Sequence, residues 1–468
     1  MDTPEYDYVI IGSGPAGMSA AVTARAHGLQ VLVLDEQPAV GGQIYRNLEA
    51  MESERSQEFQ KLGKDYLQAS DLARRFRACG ATYLPGRSVW QIDPDLTVHH
   101  LDLLKTRTST PNQCRARRLL VTIGAMERPM PLPGWTLPGV MACTAADVLY
   151  KSSGLLPTGE IVMAGSGPLL LLIACRLLDA GVKIGAFLDT NPASSLWKAL
   201  PHLPQALRGM GYLTKGLGML WKLHTSGVPV YQGVDAIEAQ GEQQLEQVRF
   251  RRGGEWRTVP ADLLLLHHGV VPNVQISRQL GCEHQWYAAQ RYWEPVLDPW
   301  GNTSVENVGV AGDCGRVNGA AVSELSGQLA ALETAHVLGK LSAESRDREA
   351  LPICQKLEAQ QAVRPFLDRL FQPARPWLVP EDEETLVCRC EEVRVRDIRQ
   401  AVQMGARNPD RVKPMIRCGM GPCQARMCGL TVSEVIADER GLTPEDVGYF
   451  RIRSPIKPVT LGELAGLE

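Results

Sequence analysis

The chain carries one pattern of apolar and polar positions twice: a short unbroken apolar run, a glycine-rich turn, a stretch at helical spacing, and a second apolar run ending in an acid. The first copy comprises residues 7–11 (DYVII), the turn Gly12-Ser13-Gly14-Pro15-Ala16-Gly17, an alanine-rich stretch to about His27, residues 31–34 and Asp35. The second comprises residues 161–164, the turn Gly165-Ser166-Gly167-Pro168-Leu169-Leu170, a stretch to Ala180, residues 182–188 and Asp189. Short runs with almost no polar member read as strands covered on both faces, as in parallel sheets flanked by helices. Each copy therefore predicts a strand–helix–strand unit, and the chain an α/β fold holding two of them. Towards the C-terminus the period changes. Residues 395–404 put Ile398, Ala401 and Val402 on one helical face and Arg396, Arg399 and Gln403 off it, and Thr443-Pro444-Glu445 starts a further helix. Residues 372–384 (QPARPWLVPEDEE), rich in proline and acid, read as a linker, with a boundary near residue 380.

The glycines say what the turns are for. In the first unit Gly12 permits a tight turn, Gly14 lets a pyrophosphate approach the backbone, and Gly17 lets helix pack on strand, with the pyrophosphate resting on the helix N-terminus. Asp35 stands where a ribose hydroxyl needs an acceptor. In the second unit Leu170 replaces the third glycine, which predicts a wider helix–strand spacing and a displaced seat. Asp189 has no adjacent arginine and so disfavours a 2′-phosphate. A nicotinamide, ATP or another adenine nucleotide, and a purely architectural unit all stay open there.

Composition changes the picture in two respects. The 468 residues suggest about three domains, and a net charge of −3 gives no electrostatic footprint for nucleic acid. The start lacks a basic segment before an apolar one, so no secretory signal is expected. The most apolar run, residues 169–175, stops at Arg176, far short of the ~20 residues that span a bilayer. A cytoplasmic protein without a transmembrane segment is the expectation, peripheral on the inner face of the membrane if its electron acceptor lies there.

Twelve cysteines without a signal peptide argue for reduced thiols. Seven are scattered singly (Cys79, Cys114, Cys143, Cys175, Cys282, Cys314, Cys354) and read as small buried hydrophobes. Five crowd into residues 388–428: Cys388, Cys390, Cys418, Cys423 and Cys428. Four thiolates hold zinc or a [2Fe–2S] cluster, but zinc pairs are usually spaced more widely than Cys388-x-Cys390. Gly419, Gly421 and Gly429 allow backbone N–H groups near the sulfurs, and Arg389, Arg417 and Arg426 would offset a cluster's negative charge.

Further segments resemble the two-dinucleotide-fold, glutathione-reductase-like flavoproteins. Gly41-Gly42-Gln43, after Asp35-Glu36, is similar to the loop that wraps the flavin. Residues 119–124 (LLVTIG) match the strand and turn where the chain leaves the flavin domain, with Ile123 in place of a more usual residue. Residues 303–313 (TSVENVGVAGD) are similar to the strand ending in the Gly-Asp that holds the ribityl chain. The resemblance implies FAD on Gly12, Gly14, Pro15, Ala16, Gly17, Asp35, Glu36, Gly42, Gln43, Gly124, Gly312 and Asp313. It places any second nucleotide, NAD or ATP, on Gly165, Gly167 and Asp189. The redox-active cysteine pair of disulfide reductases with this fold is missing, so electrons take another route.

The cysteine pattern Cys388-x-Cys390-x32-Cys423-x4-Cys428 resembles the mainly α bacterioferritin-associated-ferredoxin type of [2Fe–2S] domain, which makes those four the ligands and Cys418 the spare. Choosing Cys418 with Cys423 is the alternative on spacing alone. Residues 41–46 (GGQIYR), 124–140 (GAMERPMPLPGWTLPGV), 268–273 (HGVVPN), 280–286 (LGCEHQW), CRCEE and GMGPCQARMC together resemble the A-type (α) subunit of hetero-oligomeric flavin dehydrogenases, such as opine oxidase, hydroxyproline and proline dehydrogenases and hydrogen cyanide synthase. The α subunit of sarcosine oxidase is a more distant likeness. That likeness implies amine or imino-acid oxidation on a separate flavoprotein β subunit, an electron relay through FAD and [2Fe–2S] on this chain, a small ferredoxin-like γ subunit in some members, and FMN at a subunit interface. The expected division is a flavin domain at 1–125 and 275–345, a second nucleotide domain at 126–274, a linker at 346–384 and a cluster domain at 385–468. Octopine- or nopaline-like opines, D-hydroxyproline and glycine stay open as substrates, with a self-contained NAD(P)H-dependent reductase and a nucleotide-sensing subunit as rival functions.

Single residues carry less. His267, His268 and His284 have no nucleophile or metal partner in sequence and read as structural. Trp286 and Trp293 form an aromatic face, Arg74-Arg75-Phe76-Arg77 a solvated helix face, and residues 215–223 (KGLGMLWKL) an amphipathic surface helix.

Overall fold

The computed structural model describes residues 3–104 and 111–465. The first apolar run forms the strand Glu5–Ile11, paired in parallel with Val31–Leu34 on one side and Pro111–Val121 on the other. Thr82–Leu84 extends the sheet beyond Val31–Leu34, and the distant Val308–Val310 joins it in parallel against Leu119, Leu120 and Val121. Two antiparallel strands, Arg87–Ile92 and Thr97–Asp102, complete the sheet. The helix Pro15–Ala26 covers one face and packs along Ala320–Val337. That approach is close because Gly327 faces Ala16: a Cβ there would stand 2.1 Å from the Ala16 carbonyl oxygen.

The second pattern folds as expected, with a shift at one end. Ile161–Gly165, the helix Pro168–Asp179 and the strand Ala186–Asp189 form the unit, the strand starting later than residue 182 and running through Asp189. These strands lie in an all-parallel sheet in the order Val230–Gln232, Ala186–Asp189, Ile161–Gly165, Leu263–His267, Val140–Ala142. Leu170, in the place of the third glycine, belongs to the interface between helix and sheet. It is fully buried with Ile161, Met163, Ile173, Ala174, Phe187 and Leu265, so its side chain fills the helix–sheet interface. The paired strands Ala125–Glu127 and Val270–Pro272 lie at the two crossings between the nucleotide units.

The expected linker is not an extended tether. Residues 346–384 include most of the helix Ala343–Gln361, the helix Arg364–Leu370 and the turn Arg375–Trp377. Val363 and Phe366 pack on Ala199 and Ala206 of the second unit, and Leu378 and Val379 join the core beneath the flavin-type sheet. Proline and acid marked a loop-like composition, but tertiary burial of the interspersed apolar residues overrides it.

The C-terminal domain is mainly α, with Val395–Gln403, Pro409–Ile416 and Gly429–Arg440 as its chief helices. Its core is continuous with that of the first sheet, since Val9, Leu34, Val98 and Val121 belong to the same buried cluster as Val395, Ile398, Val432 and Phe450. Polar contacts fasten the junction. Arg291 Nε donates to Glu434 at 2.9 Å, Trp135 Nε1 to the Leu386 carbonyl at 2.8 Å, and the Ile456 N–H to the Trp90 carbonyl at 2.9 Å.

Candidate functional site

The first glycine turn is a cradle that side chains would close. Gly12 has φ +107, and a Cβ on Gly17 would lie 1.9 Å from the Gly12 carbonyl oxygen. Gly14 is different: its φ is −73 and the nearest atom to an added Cβ is Gly42 Cα at 3.8 Å, so its lack of a side chain serves the space in front of the turn. Gly42 (φ +63) brings the Gly41–Gly42 turn directly against Gly14. The helix beginning at Pro15 has neither a side-chain cap nor an acid in its first turn, leaving an N-terminus with its partial positive charge uncompensated.

Gly312 and Asp313 arrive from the far end of the chain. A Cβ on Gly312 would stand 3.0 Å from Ala16 Cβ, which sets this turn beside the same helix N-terminus. Asp313 Oδ1 accepts the N–H groups of Asn318 and Gly319 at 2.9 and 3.0 Å. Asp35 is buried, accepts from Ser13 Oγ at 2.6 Å, and takes the Gln37 N–H at 2.7 Å. Glu36 pairs with Lys457, and Gln43 accepts from Arg46 Nη2 at 2.7 Å. Gly124 (φ +68) accepts the Asn273 N–H at 3.1 Å, where the chain crosses between the nucleotide units. Pro15 and Ala16 open the helix. Thus Gly12, Gly14, Ala16, Gly17, Gly42 and Gly312 meet around one helix end, and the set fits a dinucleotide's pyrophosphate.

Sequence reasoning missed the group that holds the flavin-loop segment. Lys151 is buried, ion-paired with Asp147, and donates to the Ile44 carbonyl at 3.0 Å; Arg176 of the second unit also reaches Asp147 at 3.0 Å. Burial pushes the Lys151 ammonium down, against the pull of Asp147. A lysine on an apolar helix looks like a surface residue in sequence, and only the sheet packing puts it inside.

At the second turn, a Cβ on Gly165 would fall 1.6 Å from the His267 carbonyl oxygen, and Gly167 faces the His267 ring. Glu127 binds His267 Nδ1 and accepts from the Thr144 hydroxyl and N–H, tying the domain crossing to the next helix. Asp189 takes the Asn191 N–H at 2.9 Å and is pushed upward by burial. Beside it, Thr190 Oγ1 and Asn191 Oδ1 are buried with no partner among the described residues. The helix from Pro168 also lacks a cap and an N-terminal acid. Uncapped helix, orphaned polar atoms and a terminal acid fit a polar nucleotide better than pure architecture.

Two of the histidines differ in their surroundings: His284 is hydrogen-bonded to Ser277 and to the Cys282 carbonyl, whereas both ring nitrogens of His268 lack a partner among the described residues. His268 is wholly buried, held down to about 3 by burial and by Arg128, and His284 is held to about 3 by burial and by Arg278. Trp286 and Trp293 stack edge-on across a hairpin, 5.6 Å apart. Arg74, Arg75 and Arg77 lie on a solvated face, paired with Glu52, Asp71 and Glu49.

The clustered cysteines gather in the C-terminal domain, three of them in its core. Cys388 ends the strand Leu386–Cys388, Cys428 precedes the helix Gly429–Arg440, and Cys418 follows Pro409–Ile416. The sulfurs of Cys388, Cys418 and Cys428 lie within 4.8 Å of one another and are buried. Cys390 and Cys423 adjoin each other; Cys390 is exposed and Cys423 half-buried. Gly421 is needed for this, because a Cβ there would meet Cys390 Cβ at 2.2 Å. Thiols of Cys418 and Cys428, and the N–H groups of Gly419 and Glu391, donate to Cys388 and pull its thiol far below the ordinary range. Cys418, set aside on spacing, therefore stands inside the nest. Of the three arginines, Arg426 donates to the Cys423 carbonyl at 3.2 Å, whereas Arg417 pairs with Glu391 and Arg389 stacks on Trp135. Buried sulfurs converging with backbone donors fit a thiolate-held metal centre.

Comparison with known proteins agrees in both halves. Residues 6–336 match the family described as pyridine nucleotide-disulphide oxidoreductase, and residues 382–467 the sarcosine oxidase A3 domain. The A-type subunit of opine oxidase from Rhizobium meliloti is 41% identical over 99% of this chain and 88% of that protein. The HcnB subunit of hydrogen cyanide synthase from Pseudomonas aeruginosa is 30% identical over 98% of each chain. Among solved structures, L-proline dehydrogenase from P. horikoshii superposes with a TM-score of 0.69 at 18% identity, covering 99% of this chain and 80% of that one, which shows a shared fold.

Proposed function

The chain belongs to the pyridine nucleotide-disulphide oxidoreductase family and, within it, to the group of A-type opine oxidase subunits, and we propose that it is the electron-relaying subunit of a multi-subunit FAD-dependent dehydrogenase that oxidises an opine. It is a flavin-dependent oxidoreductase subunit of the kind acting on CH–NH donors. The relatives are themselves subunits, and the reading takes substrate oxidation to occur on a partner flavoprotein subunit. A γ subunit and an interfacial FMN would complete the assembly in those members that have them. The identity to opine oxidase exceeds that to the cyanide synthase subunit, which favours an opine over glycine.

The observation that carries the relay is that the sheet behind the dinucleotide cradle and the buried Cys388, Cys418 and Cys428 share one continuous hydrophobic core. When bound, FAD supplies two-electron acceptance with one-electron release, and a [2Fe–2S] cluster supplies single-electron transfer. The chain's own residues position these groups. Gly12, Gly14, Gly17 and the N-terminus of Pro15–Ala26 seat the pyrophosphate; Asp35 takes a ribose hydroxyl; Gly42, Gln43 and Gly124 line the flavin side; Gly312 and Asp313 close it. The cysteine spacing would give the iron to Cys388, Cys390, Cys423 and Cys428, while Cys418, whose sulfur lies within 4.8 Å of those of Cys388 and Cys428, stands in position to replace one of them. Gly165, Gly167 and Asp189 seat a second nucleotide, and the orphaned Thr190 and Asn191 atoms favour a bound adenine nucleotide, NAD or ATP.

The test is co-expression with a candidate flavoprotein β subunit, followed by flavin absorbance, iron content and anaerobic addition of octopine or nopaline. The proposal expects stoichiometric flavin and iron on this chain, with opine-driven bleaching only in the complex. Bleaching of the isolated chain by NADH or NADPH would make it a self-contained reductase instead. Absence of both flavin and iron would remove the relay altogether.

A further inference from the structure

The strand Leu263–His267 of the second sheet is apolar until its last residue. Open parallel sheets take their ligands at the carboxyl ends of the strands, and there the register sets three residues in a row: His267 pairs with Gly165, and Gly165 with Asp189. Gly165 and Asp189 belong to the second nucleotide seat. His267 stands in the same row, 1% exposed, and its carbonyl accepts the Ser166 N–H of the glycine turn at 3.0 Å.

The imidazole is held in one orientation. Nδ1 is bonded to Glu127 Oε1, and the other oxygen of that carboxylate takes the Thr144 hydroxyl and the Thr144 N–H, the latter at 3.3 Å. The opposite edge of the ring faces the seat. A Cβ on Gly167 would stand 3.6 Å from His267 Nε2 and 3.7 Å from Cδ2, so a group filling the space that Gly167 leaves open meets this nitrogen. Nε2 makes no hydrogen bond among the described residues. The first turn differs: the nearest atom to a Cβ on Gly14 is Gly42 Cα, at 3.8 Å. Two copies of one motif thus have a bare backbone over the second glycine in one case and an imidazole in the other.

The partner of Nδ1 decides what Nε2 can offer. With Nδ1–H on a carboxylate, the neutral ring presents a lone pair at Nε2 and the cation an N–H. A pyrophosphate drawn to the uncapped N-terminus of Pro168–Asp179 accepts from the cation only. Held between the Glu127 carboxylate and a phosphate oxygen, an imidazolium is stabilised from both sides. The other titratable and charged groups around it are Asp189 along the row, His268 next in the chain with Arg128 beside it, and Cys143 and Asp147 on the helix Cys143–Ser153. Asp147 is already paired with Lys151 and Arg176, which leaves Glu127 as the acid bonded to the ring.

Taking Gly165, Gly167 and Asp189 as a nucleotide seat, we propose that His267 is its phosphate-binding side chain, donating from Nε2 to the pyrophosphate as an imidazolium backed by Glu127, so that nucleotide binding there is coupled to uptake of a proton. The flavin-loaded full chain, its first seat filled, would be titrated calorimetrically with NAD and with ATP at about pH 6, 7 and 8. Two variants accompany it: His267→Phe fills the ring's space without a donor, and His267→Gln keeps an amide donor that does not titrate. Melting temperatures show which variants fold. The ratio of wild-type to variant affinity cancels any titration of the nucleotide itself. For His267→Phe it should be ~10- to 100-fold at the lowest pH, the size of a hydrogen bond to a charged group, and shrink as the pH rises. For His267→Gln it should be smaller and shrink in the same direction, which decides the matter even if His267→Phe does not fold. Ratios that do not change with pH, or tighter binding by His267→Phe, overturn the proposal and leave the seat standing. Failure of the wild type to bind either nucleotide removes the seat, and the proposal with it.

Discussion

Gly14 and Gly17 stand three residues apart in one motif, and the structure separates what each does. A methyl on Gly17 would lie 1.9 Å from the Gly12 carbonyl oxygen and 2.9 Å from Thr122 Oγ1. Real carbons stay beyond 3.0 Å of such an oxygen, so helix and strand would have to part by about 1 Å. That places Gly17→Ala at the upper end of overpacking costs, ~3 kcal/mol, before any cofactor is considered. A methyl on Gly14 meets nothing nearer than 3.8 Å, and φ −73 suits alanine, so Gly14→Ala should change the stability of the cofactor-free protein by less than ~1 kcal/mol. With a pyrophosphate seated against the turn, the same methyl collides with it, for ~1–3 kcal/mol or ~10- to 100-fold in affinity. Flavin per chain after purification, FAD titration of the stripped protein, and its melting temperature report the three quantities. Gly14→Ala is expected to retain the cofactor-free melting temperature and lose the flavin. Full flavin with unaltered affinity in Gly14→Ala would refute the placement of the pyrophosphate on this turn, whether or not Gly17→Ala folds.

Other outcomes follow from the same geometry. With the four spaced cysteines as ligands, Cys418→Ala should keep its iron and Cys428→Ala should lose it; the reverse result in metal analysis would exchange their roles, since the sulfurs of Cys388, Cys418 and Cys428 lie within 4.8 Å of one another. Arg291→Met strands the Glu434 carboxylate, 3% exposed, and should cost ~3–5 kcal/mol at the junction of the C-terminal domain; unchanged resistance to limited proteolysis would contradict it. His268 ionises near 3 in the fold against 6.5 when unfolded. The unfolded chain therefore binds more protons between these values, and stability falls as pH drops from about 6.5 towards 3. His268→Phe should flatten that fall in denaturation midpoints, by at most ~5 kcal/mol. Lys151→Met removes a donor to Ile44 and one of two cations on Asp147, and should weaken flavin retention before it unfolds the chain, read by flavin release on mild heating.

Much of the site was legible because its parts are local. A glycine turn between apolar runs declares its strand, helix and ligand end in about thirty residues, and the strand Val31–Leu34 lies where the pattern predicted it. Gly312 and Asp313 were reachable only through family likeness, since nothing local ties them to Ala16. What sequence missed depends on three-dimensional packing. Leu170 takes the third glycine's place as a core residue between helix and sheet, and only the fold shows which neighbours it packs on. Residues 346–384 have a linker's composition with a folded segment's contacts. Cys418 breaks the spacing rule yet enters the nest, because the turn at Gly419–Gly421 bends the backbone back on Cys388 and Cys390.

The sheet under the first cradle draws on widely separated parts of the gene product. Its parallel strands include Glu5–Ile11 and Val308–Val310, and Ile456 bonds back to Trp90. A nascent chain emerging from the ribosome therefore holds its first glycine turn for some three hundred residues before Gly312 and Asp313 can reach it, while the inserted second unit has all its own strands by His267. Synthesis order and folding order are thus inverted: the inserted unit can close first, and the terminal segments that frame the cradle close last. Cofactor loading would then wait for the last strand, and a chain arrested anywhere before residue 308 would present an unfinished sheet to chaperones and proteases.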